Sequence, residues 1–268
     1  MPNLFYDLPI YFALFLIFLA CNCLSLLGYA ASHTFLTRVD NKDIVTKIVW
    51  QTILFFSSIF ITFWIATNWS NLGTLKQTTT REANVIAQLY NDFEALDIKQ
   101  RANLNKHLDD YLNLVVNDEY PHLARGEESR KTNEAYRSLV LSIYDYHPRA
   151  LLAEELRYNR ILTQLENLSD YREIRLDFLI GNLQGPLLFF FLIMISVGCF
   201  WTGFIDTKSR LFTLFIIMSQ NLIISSSCWL ILEMDKPFQG QLSVDKAAFI
   251  SVWHARNEIS HRSVPTTK

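Results

Sequence analysis

The sequence predicts an all-α integral membrane fold: four transmembrane helices, with a helical extramembrane domain between spans two and three. Three observations carry this reading. Four stretches contain no Asp, Glu, Lys, Arg or His: Leu8–Ala31, Ile48–Trp69, Leu179–Ile205 and Leu211–Leu232. Charge gathers instead in Ser70–Asp177, which holds 14 of the 24 Lys and Arg and 18 of the 26 Asp and Glu. No segment alternates apolar and polar residues with the period of two that a strand requires. A bilayer core about 30 Å thick needs roughly 20 apolar residues at 1.5 Å rise each, and every uncharged stretch meets that length. The sequence divides accordingly into spans one and two (1–69), a helical domain (70–178), spans three and four (179–234) and a C-terminal tail (235–268).

Span one has Gly28-Tyr29-Ala30 after an apolar stretch, a small-x-small pattern found at signal cleavage sites. The seven residues before the run carry no Lys or Arg, and the run is long for a signal core, so it reads as a span. The connections Ser32–Lys47 and Asp206–Arg210 lie on one side of the membrane. The N-terminus, the polar block and the tail lie on the other. Basic residues near the span ends are Arg38, Lys42, Lys47, Lys208 and Arg210 on the first side. On the second they are Lys76, Arg81, Arg172, Arg175, Lys236 and Lys246. This near balance leaves orientation open under the positive-inside rule.

Within the polar block, Thr78–Thr80 offer N-caps, with Glu82 in the first turn of the helix that follows. Ile86, Leu89, Phe93 and Leu96 then recur at helical spacing. Asp97 is placed to cap a second helix with Leu104, Leu108, Tyr111, Leu112 and Val115 on one stripe. Asp118-Glu119-Tyr120-Pro121 and Gly126 break it. A third helix covers about Ser129 to Tyr146, with Ala135, Leu139, Ile143 and Tyr146 inward. Pro148 suits the first turn of a fourth. There Leu152, Leu156, Leu162, Leu165 and Leu168 continue toward Asp177, and Gly181 with Gly185-Pro186 marks a bend before span three. After span four, Asp235-Lys236-Pro237-Phe238-Gln239-Gly240 reads as a helix exit: charges at the interface, a proline stop and a glycine turn.

Several function classes fall away. A net charge of −2 argues against a nucleic-acid partner. Cys21, Cys23, Cys199 and Cys228 all sit in apolar runs and suggest small packing residues rather than a disulfide framework. The six histidines fit no metal-ligand spacing. No phosphate loop, Gly-x-Ser-x-Gly or paired-cysteine motif is present, so no catalytic residue, cofactor or metal is expected.

Four segments carry a family likeness. They are Glu82-Ala83; Tyr111 with Val115-Val116-Asn117-Asp118-Glu119-Tyr120-Pro121; Arg172 and Arg175 before span three; and Asp235-Lys236-Pro237-Phe238-x-Gly240. Together they resemble the bacterial bestrophin-like family, with Tyr120 where that family usually has tryptophan and Lys236 where it has arginine. The likeness runs from span two to about Phe249, and the last motif is the most specific. It implies an oligomeric channel for inorganic anions such as chloride, pentameric by analogy. It also implies a bacterial inner (plasma) membrane location, with termini and helical domain in the cytoplasm. The acidic run that binds calcium after span four in animal bestrophins has no counterpart here; only Glu233, Asp235 and Asp245 are near. The alternative is a non-conducting, membrane-anchored scaffold or signalling protein acting through its helical domain.

A pore needs a span with one water- or ion-facing side. Span two has two ladders at steps of four, Phe55-Ile59-Phe63 and Phe56-Phe60-Trp64. At 100° per residue, Gln51, Ser58 and Thr62 form a polar stripe beside the first. The resemblance assigns such ladders to a dewetting neck, so Phe55, Ile59 and Phe63 are the expected pore lining. Span four carries Ser219, Gln220, Asn221, Ser225, Ser226 and Ser227. Ser219, Ser226 and Glu233 repeat every seven residues and share a face; buried polar residues of this kind commonly bond across helices. In the block, Glu82, Asp118 and Glu119 are expected to meet Arg172 and Arg175 in a network that fixes the block to the membrane domain.

Overall fold

The computed structural model describes residues 10–35, 42–148, 152–180, 185–205 and 209–262. Helices joined by turns and short loops make up the described residues, with no strand among them. The order is α1 (Ile10–Phe35), α2 (Lys42–Phe93), α3 (Ile98–Leu114), a π-helical turn (Val115–Glu119), α4 (Tyr120–Leu123), α5 (Arg130–Tyr144), α6 (Leu152–Asp177), a 3-10 turn (Phe178–Ile180), α7 (Gly185–Thr202), α8 (Arg210–Asp235) and α9 (Ala247–Arg262). Helices α1, α2 and α8 are long and apolar enough to cross a membrane. Helix α7 is shorter, 18 residues, with Phe189–Thr202 as its apolar part. Gly181 and parts of both short connections lie outside the described residues.

The chain forms two compact units. One comprises Met1–Asn71, Gly181–Lys236 and Gly240–Leu242; the other comprises Leu72–Ile180, Pro237–Gln239 and Ser243–Lys268. Helix α2, 52 residues long, contributes to both.

In the first unit, α1 packs on α7 and α8. The α1–α7 crossing is close because small residues meet there. A Cβ on Gly28 would strike the Phe200 carbonyl, and a Cβ on Gly203 would strike the Ser25 carbonyl oxygen and the Tyr29 amide. Close backbone approach at small residues is the usual basis of helix association in lipid, where burial gives little drive. Ser25 Oγ donates to the Cys199 carbonyl (2.8 Å). Asn221 Nδ2 of α8 donates to Ser25 Oγ (3.0 Å) and to Asn22 Oδ1 (3.1 Å). Asn221 is thus bonded across helices, while Ser219, Ser226 and Ser227 donate to carbonyls of their own helix. Cys21, Cys199 and Cys228 are buried free thiols.

The second unit buries one aliphatic and aromatic core. It includes Ile86, Leu89 and Phe93 of α2, Leu108 and Leu112 of α3, Leu139 and Ile143 of α5, Ile161, Leu165 and Leu168 of α6, and Phe249 of α9. Two local expectations are corrected. Thr78–Thr80 cap nothing, because α2 continues through them; Thr80 Oγ1 bonds back to the Lys76 carbonyl (2.9 Å), and no proline interrupts the helix. Asp118–Pro121 does not break the chain out of helix; a π turn absorbs one extra residue there, and Pro121 lies in the first turn of α4. Leu152 and Leu156 are exposed, because α6 meets the core only from Tyr158 onward, with Ile161 its first buried residue. Asp97 holds the N-cap position of α3, although its side chain makes no capping bond.

Candidate functional site

The two faces of α2 within the first unit differ in partner. Phe60 meets Phe190 edge-on at 5.3 Å, and Trp64 stacks on Phe191 at 6.3 Å, which fixes this side of α2 against α7. Trp64 is accordingly 8% exposed. The other ladder is open: Phe55, Ile59 and Phe63 are 61%, 52% and 66% exposed. Of the two ladders, the second therefore spends Phe60 and Trp64 on packing within the chain, and the first stays available.

The polar residues beside the open ladder are not scattered. Gln51, Ser58 and Thr62 of α2 line a groove of about 480 Å³ together with Gln220 and Ser227 of α8. Ser57 lines it too, with a buried Oγ that has no hydrogen-bond partner. Gln220 and Ser227 are seven residues apart, as are Ser219 and Ser226, so the sequence offers two polar registers on α8. It is the first of these that faces α2. Ser219 is exposed and Ser226 half-buried, away from the groove lining. The third member of the expected face, Glu233, accepts a hydrogen bond from the Gln241 amide.

Gly240 sits directly over that carboxylate. Its φ of +74° is left-handed, and a Cβ there would meet Glu233. Both facts favour glycine. Gly240→Ala is expected to cost about 1–2 kcal/mol, since αL strain of roughly 1 kcal/mol adds to displacement of the acid. A thermal melt in detergent measures it.

The second unit holds a buried ion network. Arg175, fully buried, donates through Nε to Glu82 Oε2 (2.6 Å) and through Nη2 to Glu82 Oε1 (3.0 Å) and Glu119 Oε2 (2.7 Å). Arg172 Nη2 donates to the other Glu119 oxygen (3.0 Å) and to Asn133 Oδ1. Tyr111 Oη donates to Glu82 Oε1 (3.1 Å). Aromatic faces close the site: the Arg175 guanidinium lies 5.9 Å from the Tyr120 ring and 5.6 Å from Phe249, and Arg172 lies 5.0 Å from Tyr136. Burial alone would lower the Arg175 pKa, but the carboxylates of Glu119 and Glu82 outweigh it and raise the value above its usual range. Burial pushes the Tyr111 hydroxyl well up, and Glu82 and Glu119 push it further. Two acids and two arginines cancel, so the network is neutral as a set.

Asp118 is not part of it. Its carboxylate accepts from Ser129 Oγ and lies 3.6 Å from His122 and 3.9 Å from Lys131. Within the π turn, adjacent acids point to opposite sides: Glu119 inward, Asp118 to the start of α5. Glu82 is likewise no first-turn acid but a mid-helix anchor. Asn133, Tyr136 and Phe249 complete the cage, and no motif in the sequence singles them out.

The tail segment also builds into the second unit. The Val244 amide donates to the Pro237 carbonyl (2.7 Å), Phe238 packs edge-on against Tyr120 at 6.2 Å, and Gln239 bonds the Ala124 carbonyl. Lys246 Nζ donates to the Val116 carbonyl of the π turn (2.8 Å). Asp235 ends α8 and Lys236 is its C-cap.

These positions can be set beside known proteins. A family model for the bestrophin-like domain matches residues 16–249. No curated protein matches the sequence. Two crystal structures of a mutated bacterial bestrophin homologue from Klebsiella pneumoniae align with TM-scores of 0.66 and 0.67. Their identities are 12% and 13%; 90% and 95% of this chain is covered, and 98% and 99% of theirs. A crystal structure described as a membrane protein aligns at 0.67 and 12% identity, covering 92% of this chain and 98% of its own. Such identities show a shared fold, whereas the family model reads the sequence itself over most of its length. The apolar helices make this a membrane protein, and the chain belongs to the bestrophin-like family.

Proposed function

We propose that this chain is one subunit of an oligomeric channel, passing inorganic anions such as chloride through a pore lined by α2. Helices α1, α2, α7 and α8 are its four spans. The polar unit and both termini face the cytoplasm of a cell whose plasma (inner) membrane holds the protein. Family membership supports the class. The single observation that supports the pore assignment is the division of α2: Phe60 and Trp64 are held by α7, while Phe55, Ile59 and Phe63 have no such partner. A ring of copies, five by family analogy, gives each copy's open ladder one place around a common axis. Stacked apolar rings there make a narrow neck that gates by dewetting. Gln51, Ser58 and Thr62 flank the ladder and give water a foothold beside it.

The test is flux from liposomes containing the pure protein. Phe63→Ala widens the neck and is expected to raise anion conductance severalfold, with Phe55→Ala acting in the same direction. Native mass spectrometry should show a closed ring. Tight liposomes with folded protein, together with a monomer or dimer in mild detergent, would favour the non-conducting scaffold instead.

A further inference from the structure

The α1–α8 face of the first unit carries a second groove, about 480 Å³, that the pore reading does not use. Its walls are mainly Phe15, Leu19 and Leu26 from α1 and Leu214, Ile217 and Met218 from α8; Asn22 and Thr213 line it too, but Asn22 is bonded to the Phe18 carbonyl and to Asn221, and Thr213 to the Ser209 carbonyl. It is polar at one end. There Arg210, the first residue of α8, and Tyr29, near the end of the uncharged part of α1, both line it. Arg210 is exposed and immediately precedes the uncharged run Leu211–Leu232, which places it at the membrane edge. The groove then runs inward along α1 from Tyr29 to Phe15, roughly 20 Å at 1.5 Å per residue. Half a hydrocarbon core is about 15 Å. The groove therefore spans one leaflet and reaches a little past the mid-plane, is mainly apolar along its length, and is cationic only at the level of the headgroups.

We infer that this groove binds one acyl chain of an anionic phospholipid whose phosphate pairs with Arg210. The chemistry follows from the two ends. An alkyl chain matches walls whose few polar groups are already bonded within the bundle, and a guanidinium pairs bidentately with a phosphate, best where no headgroup ammonium competes for that phosphate or repels the guanidinium. Tyr29 supplies the amphipathic ring that settles at the interface beside such a headgroup. The occupant bridges α1 and α8, and it needs neither conduction nor a ring of subunits.

Native mass spectrometry of the full chain tests this. The purified protein is exchanged into detergent with equal amounts of phosphatidylglycerol and phosphatidylcholine bearing identical chains. Retained phosphatidylglycerol should exceed phosphatidylcholine by about fivefold, the effect of one basic residue near a membrane surface. Arg210→Gln should bring the ratio to parity. Lys47→Gln removes the same charge from the exposed start of the α2 span, outside the groove, and should leave the preference intact. Leu214→Trp fills the groove and should remove both lipids; a melting curve confirms that this variant is folded, and Arg210→Gln decides alone if it is not. Equal retention by the unaltered protein overturns the inference, as does a preference that survives Arg210→Gln or falls equally with Lys47→Gln.

Discussion

Arg175→Ala is expected to destabilise the polar unit by about 3–5 kcal/mol, the usual cost of removing one partner from a buried ion pair. The reason is arithmetic in charge. Glu82 and Glu119, both fully buried, are held by Arg175 and Arg172, and the set is neutral. Deleting Arg175 leaves two buried carboxylates facing one guanidinium. Glu82 then keeps only the Tyr111 hydroxyl, and the Phe249 and Tyr120 rings lose the cation between them. Arg175→Lys restores charge but not the three-bond fork to two acids, so it should recover less than half of the loss. Unfolding in detergent, followed by far-ultraviolet circular dichroism, measures both. Arg175→Ala with Glu82→Gln should cost clearly less than the sum of the two single changes, by about 1 kcal/mol or more, because the second change removes the stranded charge. A loss below about 1 kcal/mol for Arg175→Ala, or strict additivity in the pair, would show the network to be wet and dispensable.

How far this network can be read from sequence depends on the residue. Arg172 and Arg175 lie three apart on α6 and share a face, and Glu82 and Glu119 both fall in segments that carry the family likeness. The choice of Glu119 over Asp118 is not visible there. It rests on a π turn, which rotates the helix by one residue and has no compositional signature in Val115–Glu119. A similar limit governs α2. Three threonines followed by an acid look like a helix start, but a cap forms only where the preceding chain leaves the helix. The stretch from Trp69 to Thr80 holds no proline, Gly73 alone does not end the helix, and α2 runs through. On the apolar side, the uncharged runs locate α1, α2 and α8 well, because length without charge is a property of composition. Which face of α2 meets α7 is settled only by partners about 130 residues away, Phe190 and Phe191. Likewise, α8 carries polar residues in two heptad registers, and only the fold decides that Gln220 and Ser227 share a groove with α2 while Asn221 bonds α1.

The α1–α7 crossing leads to the other large effect. Gly203→Ala and Gly28→Ala should each cost about 3 kcal/mol or more. Overpacking a tight site costs typically about 1–3 kcal/mol, and here the obstacle is backbone: the Ser25 carbonyl and Tyr29 amide for Gly203, the Phe200 carbonyl for Gly28. Neither can rotate aside as a side chain would, so the helices must separate. Separation also breaks Ser25 Oγ from the Cys199 carbonyl and strains its bond with Asn221, each worth about 1 kcal/mol between membrane helices. The informative comparison is Gly73→Ala. Gly73 lies inside α2, and no atom outside its own turn comes within 4 Å of the place a methyl group would take. Alanine there should therefore stabilise by about 0.5–1 kcal/mol through helix propensity alone. Melting in detergent should move in opposite directions for the two kinds of site. If Gly203→Ala and Gly73→Ala melt alike, the close crossing is not what holds α1 to α7. The bundle would then rest on the Ser25–Asn221 bonds, which Asn221→Leu would expose as a comparable loss.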